Sequence, residues 1–404
     1  MKVLVVDLGS KFNRFGGQAR IAAVLANSLG RYFKTYYLGY ETAYSGHIKR
    51  QILLKREKGL GLSVRRSRTS EMWVLRFVYN LLVVSKMSDL DKEYLLQAVS
   101  KLKPDVIIAN SIQDINLLRF FKKNGLEFRS IYIDHGSAST SISGYLSKEG
   151  VPLTIGTGIN SLTLNGKKNR FFNFYDINVA LNQDQLKSIS NFTDKVALIP
   201  NGLDIKVKRN MDKETKLRKK LGIKAGDFVV LYMGRMFDRQ KNIRSLITAF
   251  TGIDDRHVKL LLVGDGPSLP EYRSLARGDE RVIFAGSADD ATINYIYNIS
   301  NLFILPSFWE GFSLTILEAA AHDLPIVLSN NAYIGDLKSK GIGRILSFDP
   351  RDVVQIRSCI TSMYRNASIR KHALSVSEDI KETFTQERMI ERYKDLILRL
   401  ARDR

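Results

Sequence analysis

The chain has 404 residues, more than one hydrophobic core usually supports, so we expect two domains of roughly 200 residues each. Its composition, with 44% hydrophobic and 25% charged residues, is typical of a folded protein and excludes a largely disordered one. The formal net charge of +21 favours an anionic partner, but it does not choose among nucleic acid, anionic lipid and a phosphate-rich polymer.

The N-terminus and the cysteine content indicate the compartment. The first apolar run, Val3–Leu8, is too short to span a membrane and has no small-residue cleavage site behind it, so we predict a strand rather than a signal peptide. The single cysteine, Cys359, cannot form an internal disulfide. We therefore expect a cytoplasmic protein.

Short β-branched apolar runs alternate with helical stretches along nearly the whole chain, a pattern typical of parallel sheets with crossover helices. The strands predicted in the first half are Val3–Leu8, Thr35–Leu38, Asp105–Ala109, Ser130–Ile133 and Asn178–Leu181. Those predicted in the second half are Phe228–Met233, Lys259–Val263, Arg281–Phe284, Leu302–Leu305 and Pro325–Leu328. Both halves are therefore predicted to be α/β.

A turn-rich and Lys-rich stretch, Ile199–Lys224, separates the two halves. It predicts one domain over residues 1–203 and a second over residues 204–380. The remaining residues, 381–404, have helical periodicity and either close the second domain or pack back on the first.

Residues 49–86 combine a cluster of basic side chains with an apolar helix candidate, Met72–Val84. Since each basic side chain near an anionic leaflet contributes about 1 kcal/mol, this juxtaposition favours peripheral docking on the inner face of the cell membrane. The alternative is a core helix that follows a solvated basic loop, and the sequence leaves both readings of residues 72–84 open.

The strongest chemical signal is the segment Glu310–Glu318, which lies between two predicted strands. A helix that begins near Gly311 would direct free backbone N–H groups toward an anion, so a diphosphate fits there. Glu310 would lie at the mouth of this helix. Glu318, about two turns later, can accept hydrogen bonds from ribose hydroxyls. The alternative is a capped helix that bears two solvated acids.

Two basic residues, Arg235 and Lys241, follow the strand predicted at Phe228–Met233. Departure of a nucleotide from a sugar concentrates negative charge on a diphosphate, and fixed cations can stabilise that charge in place of a metal. Taken alone, such residues are usually solvated surface charges.

Two further signals lie in the first half. Gly16 and Gly17 follow the first strand, where backbone can approach a phosphate closely, but they lack the full G-x-G-x-x-G fingerprint, so hydride chemistry receives little support. His135 follows a predicted strand, on the side of a parallel sheet where ligands bind. The acidic pair of Asp89–Asp91 is interpreted as surface charge, and no metal cluster is recognised.

These motifs resemble those of family-4 glycosyltransferases of the GT-B fold, whose second domain carries a Glu-x7-Glu motif. The resemblance covers most of the chain and extends to Asn201–Asp204, Met233–Arg235, Lys241–Ile243, Val263–Pro267 and Phe284–Gly286. It implies two Rossmann-like α/β domains with parallel sheets facing across a cleft. By the same resemblance, the first domain binds the acceptor and the second binds the nucleotide sugar.

The resemblance also implies the roles of individual residues and the reaction. The catalytic residues are expected to be Glu310, Arg235, Lys241 and His135. The donor is expected to contact Gly16, Gly17, Glu318, Ala288, Gly311, Phe312, Ser313 and Leu314. The implied activity is hexosyl transfer from a nucleotide diphosphate sugar, with UDP favoured, to a hydroxyl of a cell-envelope glycan, a lipid-linked acceptor or a polyanionic acceptor. Retention of anomeric configuration is implied, and neither a cofactor nor a metal is expected.

Other functions stay open at this stage. The chain could be an inactive sugar-nucleotide-binding partner of an active subunit, or an epimerase or phosphorylase of the same fold, because fold does not fix function. A nucleic-acid partner is not expected, since the sequence has no zinc pattern, RNP-like aromatic motif or convincing helix-turn-helix.

Overall fold

A computed structural model describes residues 1–8, 17–39, 48, 50–53, 89–112, 114–136, 168–331, 337 and 346–402. The chain forms two compact units, of which the first is Met1–Pro200 with Arg388–Arg404 and the second is Asn201–Glu387. Of the basic segment 49–86, only residues 50–53 are described, so the helix candidate Met72–Val84 lies outside the described residues, as does Gly16.

The first unit contains a parallel sheet of seven strands. Its strands are β1 (Lys2–Asp7), β2 (Lys34–Gly39), β3 (Arg50–Leu53), β4 (Val106–Ala109), β5 (Arg129–Asp134), β6 (Ile177–Ala180) and β7 (Val196–Leu198). Its described helices are α1 (Gly17–Leu29), α2 (Asp89–Leu102), α3 (Asp114–Lys123) and α4 (Gln183–Ser190). The apolar central strands β1, β4 and β5 are almost wholly buried, as expected for a sheet covered on both faces.

The second unit contains a parallel sheet of six strands. Its strands are β8 (Phe228–Met233), β9 (Val258–Val263), β10 (Val282–Gly286), β11 (Leu302–Leu305), β12 (Ile326–Ser329) and β13 (Ser347–Phe348). Its described helices are α5 (Met211–Lys220), α6 (Asp238–Lys241), α7 (Ile243–Thr251), α8 (Leu269–Leu275), α9 (Asp290–Asn298), α10 (Leu314–Ala321), α11 (Val353–Arg365) and α12 (Ala367–Thr383).

The C-terminal helix α13 (Gln386–Arg402) belongs to the first unit from Arg388 onward. Its apolar face is buried, with Tyr393 and Ile397 fully covered, and Lys394 Nζ lies 4.9 Å from the centre of the Tyr32 ring. None of the described helices combines the length and the apolar character that crossing a bilayer requires.

Both sheets share one topology. The strand orders are β3-β2-β1-β4-β5-β6-β7 and β10-β9-β8-β11-β12-β13, so each order reverses once, between β1 and β4 and between β8 and β11. Ligands of open α/β sheets bind outside the carboxyl ends of the strands at such a switch point. The predicted class, two Rossmann-like α/β domains, is confirmed. In the second sheet, the expected ligand-binding position is at the ends of β8 and β11.

Every predicted strand is present, with ends shifted by a residue or two. The sequence missed β3, β7 and β13. The last two are very short, and β3 lies inside the basic segment 49–86, in which the sequence predicts no strand. Pairing with a neighbouring strand, rather than local pattern, defines these edge elements.

Candidate functional site

The glycine-containing loops after β8, β9 and β10 are joined by backbone hydrogen bonds. Gly234 N donates to Val263 O at 3.0 Å, and Gly264 N donates to Gly286 O at 2.8 Å. A Cβ at residue 264 would lie 1.9 Å from the carbonyl oxygen of Gly234, and φ is +135° there, so glycine is required. The three strand ends therefore form one close-packed rim, on which the Arg235 side chain is exposed.

The backbone of Arg235 is fixed by a buried tyrosine. Tyr232, at the end of β8, donates its hydroxyl to the carbonyl oxygen of Arg235 at 3.0 Å. Burial, and secondarily the Glu310 carboxylate, raise the pKa of Tyr232 well above its usual range, so this hydroxyl stays protonated. Arg235, which is predicted to bind phosphate, thus has a fixed backbone and an exposed guanidinium.

The central contact is an ion pair between Lys241 and Glu310. Lys241 Nζ lies 2.6 Å from Glu310 Oε1, and the two side chains are only 15% and 6% exposed. Ser307 donates its hydroxyl to the same oxygen at 2.5 Å. Because both contacts fall on Oε1, Oε2 of Glu310 is the oxygen to which a ligand hydroxyl can donate. Lys241 ends α6 and Ser307 follows β11, so the pair bridges the switch point of the second sheet.

The loops that carry this pair are braced against each other. Asn242 adopts the left-handed conformation, with φ of 52°, which Asn tolerates better than most residues. Its side-chain amide donates to the carbonyl oxygens of Pro306 at 3.2 Å and Pro350 at 2.5 Å. Phe308 N donates to Gln240 O at 2.8 Å. The pair is therefore held in place by contacts within the protein.

The predicted helix start near Gly311 is wrong, because α10 begins at Leu314. Ser313 is the N-cap, with an extended backbone at φ −73° and ψ 116°. The Ser313 side chain makes no cap hydrogen bond, and its hydroxyl lies 2.8 Å from Thr315 Oγ1. Glycine is poor within a helix, which keeps Gly311 outside it. The residues 311–314 are buried, and the first-turn N–H groups belong to Leu314 and Thr315 rather than to Gly311.

The second acid of the motif is buried as well. Glu318 is 8% exposed, and Tyr297 donates its hydroxyl to Glu318 Oε2 at 2.8 Å. Tyr297 stacks on His322 with ring centres 5.0 Å apart, and Asn298 Oδ1 lies 2.8 Å from His322 Nδ1. The alternative of two solvated acids is contradicted for both Glu310 and Glu318. Sequence reasoning missed Tyr297, since it lies on α9, in a different segment from the motif.

Ala288, predicted to offer backbone contacts to the donor, lies in the short connection between β10 and α9 and is partly exposed. The next residue, Asp289, caps α9 by accepting a hydrogen bond from Thr292 N at 2.7 Å. Ala288 therefore lies at the same carboxyl edge of the sheet as Arg235.

In the first unit, Asn110, which the sequence analysis did not single out, contacts the predicted residue His135. Gly17 begins α1, while Gly16 lies outside the described residues. Asn110, which follows β4, donates to Gln18 O at 2.9 Å and faces His135 Nε2 at 2.9 Å through its Oδ1. Burial lowers the pKa of His135 to about 4, so the ring is neutral near pH 7 with its proton on Nε2. These contacts place Gly17 and His135 at the switch point of the first sheet.

Within the described ranges, no three or more His, Cys, Asp or Glu side chains come together in a way that could hold a metal ion. Cys359 is buried, and its burial raises the pKa of the thiol to about 11, which makes it unreactive near neutral pH.

Residues 227–366, which include Lys241 and Glu310, match the family Glycosyl transferases group 1. The chain is 28% identical over 225 residues to alpha-monoglucosyldiacylglycerol synthase of Streptococcus pneumoniae. The aligned region covers 52% of this chain and 50% of that protein. It is 31% identical over 144 residues to UDP-Gal:alpha-D-GlcNAc-diphosphoundecaprenol alpha-1,3-galactosyltransferase of Escherichia coli. This aligned region covers 34% of this chain and 37% of that protein. The chain therefore spans half or less of the length of these curated relatives.

The similarity to solved structures covers nearly the whole chain. Sucrose-phosphate synthase of Thermosynechococcus elongatus aligns with a TM-score of 0.74 at 18% identity and covers 100% of both chains. HepE of Anabaena, in complex with UDP and glucose, aligns with a TM-score of 0.72 at 16% identity and covers 98% of this chain and 99% of that one. The fold is GT-B. The match of the second unit to Glycosyl transferases group 1 agrees with the predicted resemblance to GT4-type glycosyltransferases.

Proposed function

We propose that this chain is a retaining, metal-independent hexosyltransferase that moves a sugar from a UDP-sugar to a hydroxyl of a cell-envelope acceptor. The observation that carries the proposal is the buried Lys241–Glu310 pair at the switch point of the second sheet, with Ser307 on the same carboxylate oxygen. A preformed cation beside a preformed acceptor oxygen suits a ligand that brings both a phosphate and a sugar hydroxyl.

The two cations have complementary roles. Lys241 is nearly buried and already oriented by Glu310, whereas Arg235 is exposed on the neighbouring rim. As the bond from the anomeric carbon to the diphosphate breaks, negative charge grows on the leaving diphosphate, and both side chains stabilise it electrostatically. Glu310 Oε2 accepts a hydroxyl of the transferred sugar and orients that sugar.

The route of the acceptor hydroxyl proton can be inferred from the contacts that Glu310 and His135 already make. Glu310 is engaged with Lys241, and His135 is a neutral ring that faces Asn110. We therefore assign the proton of the acceptor hydroxyl to an oxygen of the departing diphosphate. The new bond from the acceptor oxygen to the anomeric carbon forms on the face that the diphosphate leaves, so configuration is retained. We assign acceptor binding to the first unit.

The choice of substrates is supported by the names of relatives. The galactosyltransferase of Escherichia coli is named for UDP-Gal and a diphosphoundecaprenol acceptor, and the pneumococcal synthase for a glucosyldiacylglycerol. HepE was solved with UDP-glucose. Such donors and acceptors are consistent with a cytoplasmic enzyme that works at the inner face of the cell membrane. Glu318 with Tyr297 then receives the ribose of the nucleotide.

The test is incubation of the purified full chain with labelled UDP-sugars and membrane lipid extract, with and without EDTA. The expected result is an acceptor product with an α-linkage by NMR, formed equally well with EDTA. Glu310→Gln should lower kcat by roughly 10²–10³-fold. The matched control is Glu271→Gln, which removes a carboxylate from an exposed pair with Arg244 in the same unit and should leave kcat unchanged.

Each rival gives a distinct result. UDP binding without turnover of any donor would identify an inactive partner subunit. Conversion of a UDP-sugar without an acceptor would identify an epimerase, and a requirement for inorganic phosphate would identify a phosphorylase. Loss of activity with EDTA and its rescue by Mg²⁺ or Mn²⁺ would contradict the metal-independent mechanism.

A further inference from the structure

The segment that begins the second unit is held rigidly although it has little secondary structure. Lys208 N donates to Asn294 Oδ1 at 2.9 Å. Lys208 O accepts from the side-chain amides of Asn294 at 2.6 Å and Asn298 at 2.7 Å. Both asparagines lie on α9, so the backbone of Lys208 is clamped to that helix while its side chain is exposed.

The helix that follows, α5, has no buried residue. It is held at its start by polar contacts, because Asn210 accepts a hydrogen bond from Lys213 N at 3.0 Å and donates its own N–H to Glu214 at 3.3 Å. Glu214 also accepts from Asn298 at 2.7 Å. A helix with no face in the core needs such anchors, and here they fix its first turn in one orientation.

The exposed surface at this first turn is both basic and apolar. Met211 is 83% exposed, the largest value among the exposed large hydrophobic residues of the described chain. Its neighbours in sequence, Lys206, Lys208, Arg209 and Lys213, are all exposed. We call these five residues the Met211 corner.

Acidic side chains do not neutralise the Met211 corner. Between residues 204 and 220 the chain has eight basic residues against three acidic ones. Of these acids, Glu214 is partly buried and hydrogen-bonded to Asn298, while Asp204 and Asp212 are exposed. The four exposed cations of the corner outnumber the two exposed acids, so its net charge is positive, and the asparagine clamp holds the backbone of Lys208 in place.

Ordinary helix chemistry explains only part of this charge. Basic residues in the last turn of α5, Arg218–Lys220, complement the helix dipole. The residues of the Met211 corner lie before or in the first turn, where cations are disfavoured by the same dipole. An exposed methionine with four exposed cations at nearby positions in the chain, which outnumber the exposed acids, has the composition of a surface that meets anionic headgroups and inserts an apolar side chain between them.

We propose that the Met211 corner docks the second unit on an anionic bilayer, with Met211 entering the headgroup region and the surrounding Lys and Arg side chains contacting lipid phosphates. This surface is separate from residues 49–86, and it does not depend on the transferase activity. It would hold the second unit against the membrane surface.

The test is co-sedimentation of the full chain with vesicles of phosphatidylglycerol and phosphatidylcholine, and with phosphatidylcholine alone, at low and high salt. Binding should require the anionic lipid and weaken with salt. Changing Lys206, Lys208 and Arg209 together to Ser should weaken binding by about fivefold per residue, or on the order of a hundredfold in total. The matched control changes three exposed basic residues elsewhere in the unit to Ser, namely Arg256, Arg365 and Lys371.

The contribution of the Met211 side chain to lipid binding is tested with a separate control variant. Met211→Ser should weaken binding to anionic vesicles roughly tenfold. Val354→Ser, which removes another strongly exposed apolar side chain, 69% exposed, should leave binding unchanged. Unchanged melting temperatures would show that all variants are folded. Equal loss in the two triple variants would mean that net charge alone binds lipid, and a silent Met211→Ser would mean a polyanion-binding surface without insertion. Either result would overturn the proposal.

Discussion

Replacing Glu310 by Gln or Lys241 by Met removes one charge of the ion pair and leaves the other nearly buried. At 2.6 Å and an effective dielectric constant of about 20, the attraction is about 6 kcal/mol, and the desolvation of both groups offsets much of it. A lone charge keeps its desolvation cost without the attraction. We therefore expect each single variant to lose about 3 kcal/mol of the free energy of unfolding.

The double variant tests whether the loss comes from the pair itself. With both charges absent, no buried charge is left alone, so the double variant should be more stable than the sum of the two single losses implies. We expect a coupling free energy of about 2–3 kcal/mol. The exposed pair of Arg244 and Glu271, with side chains that are each 50% exposed, is the control and should give less than about 1 kcal/mol.

The measurement is urea unfolding of the full chain followed by fluorescence of Trp309, which adjoins Glu310, in a Trp73→Phe background that removes the other tryptophan. A coupling free energy below about 0.5 kcal/mol for Lys241 and Glu310 would refute the reasoning, because the pair would then be no stronger than a surface salt bridge.

Three further predictions follow from single contacts. Tyr297→Phe, which removes the hydroxyl that holds Glu318, should raise the donor KM roughly 3–10-fold with kcat within about twofold, by steady-state kinetics. Gly264→Ala should lower the free energy of unfolding by about 2–4 kcal/mol, and Gly278→Ala, which has open space, by only about 1 kcal/mol, by urea unfolding. The His135 pKa of about 4 lies below the ordinary 6.5, so stability should fall as pH drops from 6.5 toward 4, and less so in His135→Gln.

The sequence predicted the sheets well because their strands are continuous apolar runs buried on both faces. β8 and β11 were predicted at the residues where they occur, and the polar residues just after them include the residues of the site. In a parallel sheet the strand ends define where ligands bind, so predicting the strands also indicated where the candidate site lies. Glu310 and Lys241 themselves were named from the motifs that follow these strands and from their resemblance to GT4-type glycosyltransferases.

The sequence could not predict contacts between distant segments. Tyr297 reaches Glu318 from α9, and Asn110 reaches His135 from the end of another strand. Neither tyrosine nor asparagine has a local pattern that distinguishes a positioning role from a surface one. The start of α10 was misplaced for a different reason, because the extended backbone at Ser313 that precedes the helix is not visible in the sequence of the motif.

The bracing around Glu310 bears on the metal-independent mechanism that we propose. Asn242 ties the loop of Lys241 to the loop after β11, which restrains the backbone next to the lysine. In the proposed mechanism the donor diphosphate binds at Lys241, and the ammonium then contacts two anions, the diphosphate and Glu310. Its attraction to the growing charge of the leaving group adds to an orientation that Glu310 has already fixed, so little reorganisation accompanies the reaction. In this proposal Glu310 orients Lys241 through Oε1 and the sugar through Oε2, and its side chain, which is only 6% exposed, is fixed before the sugar binds.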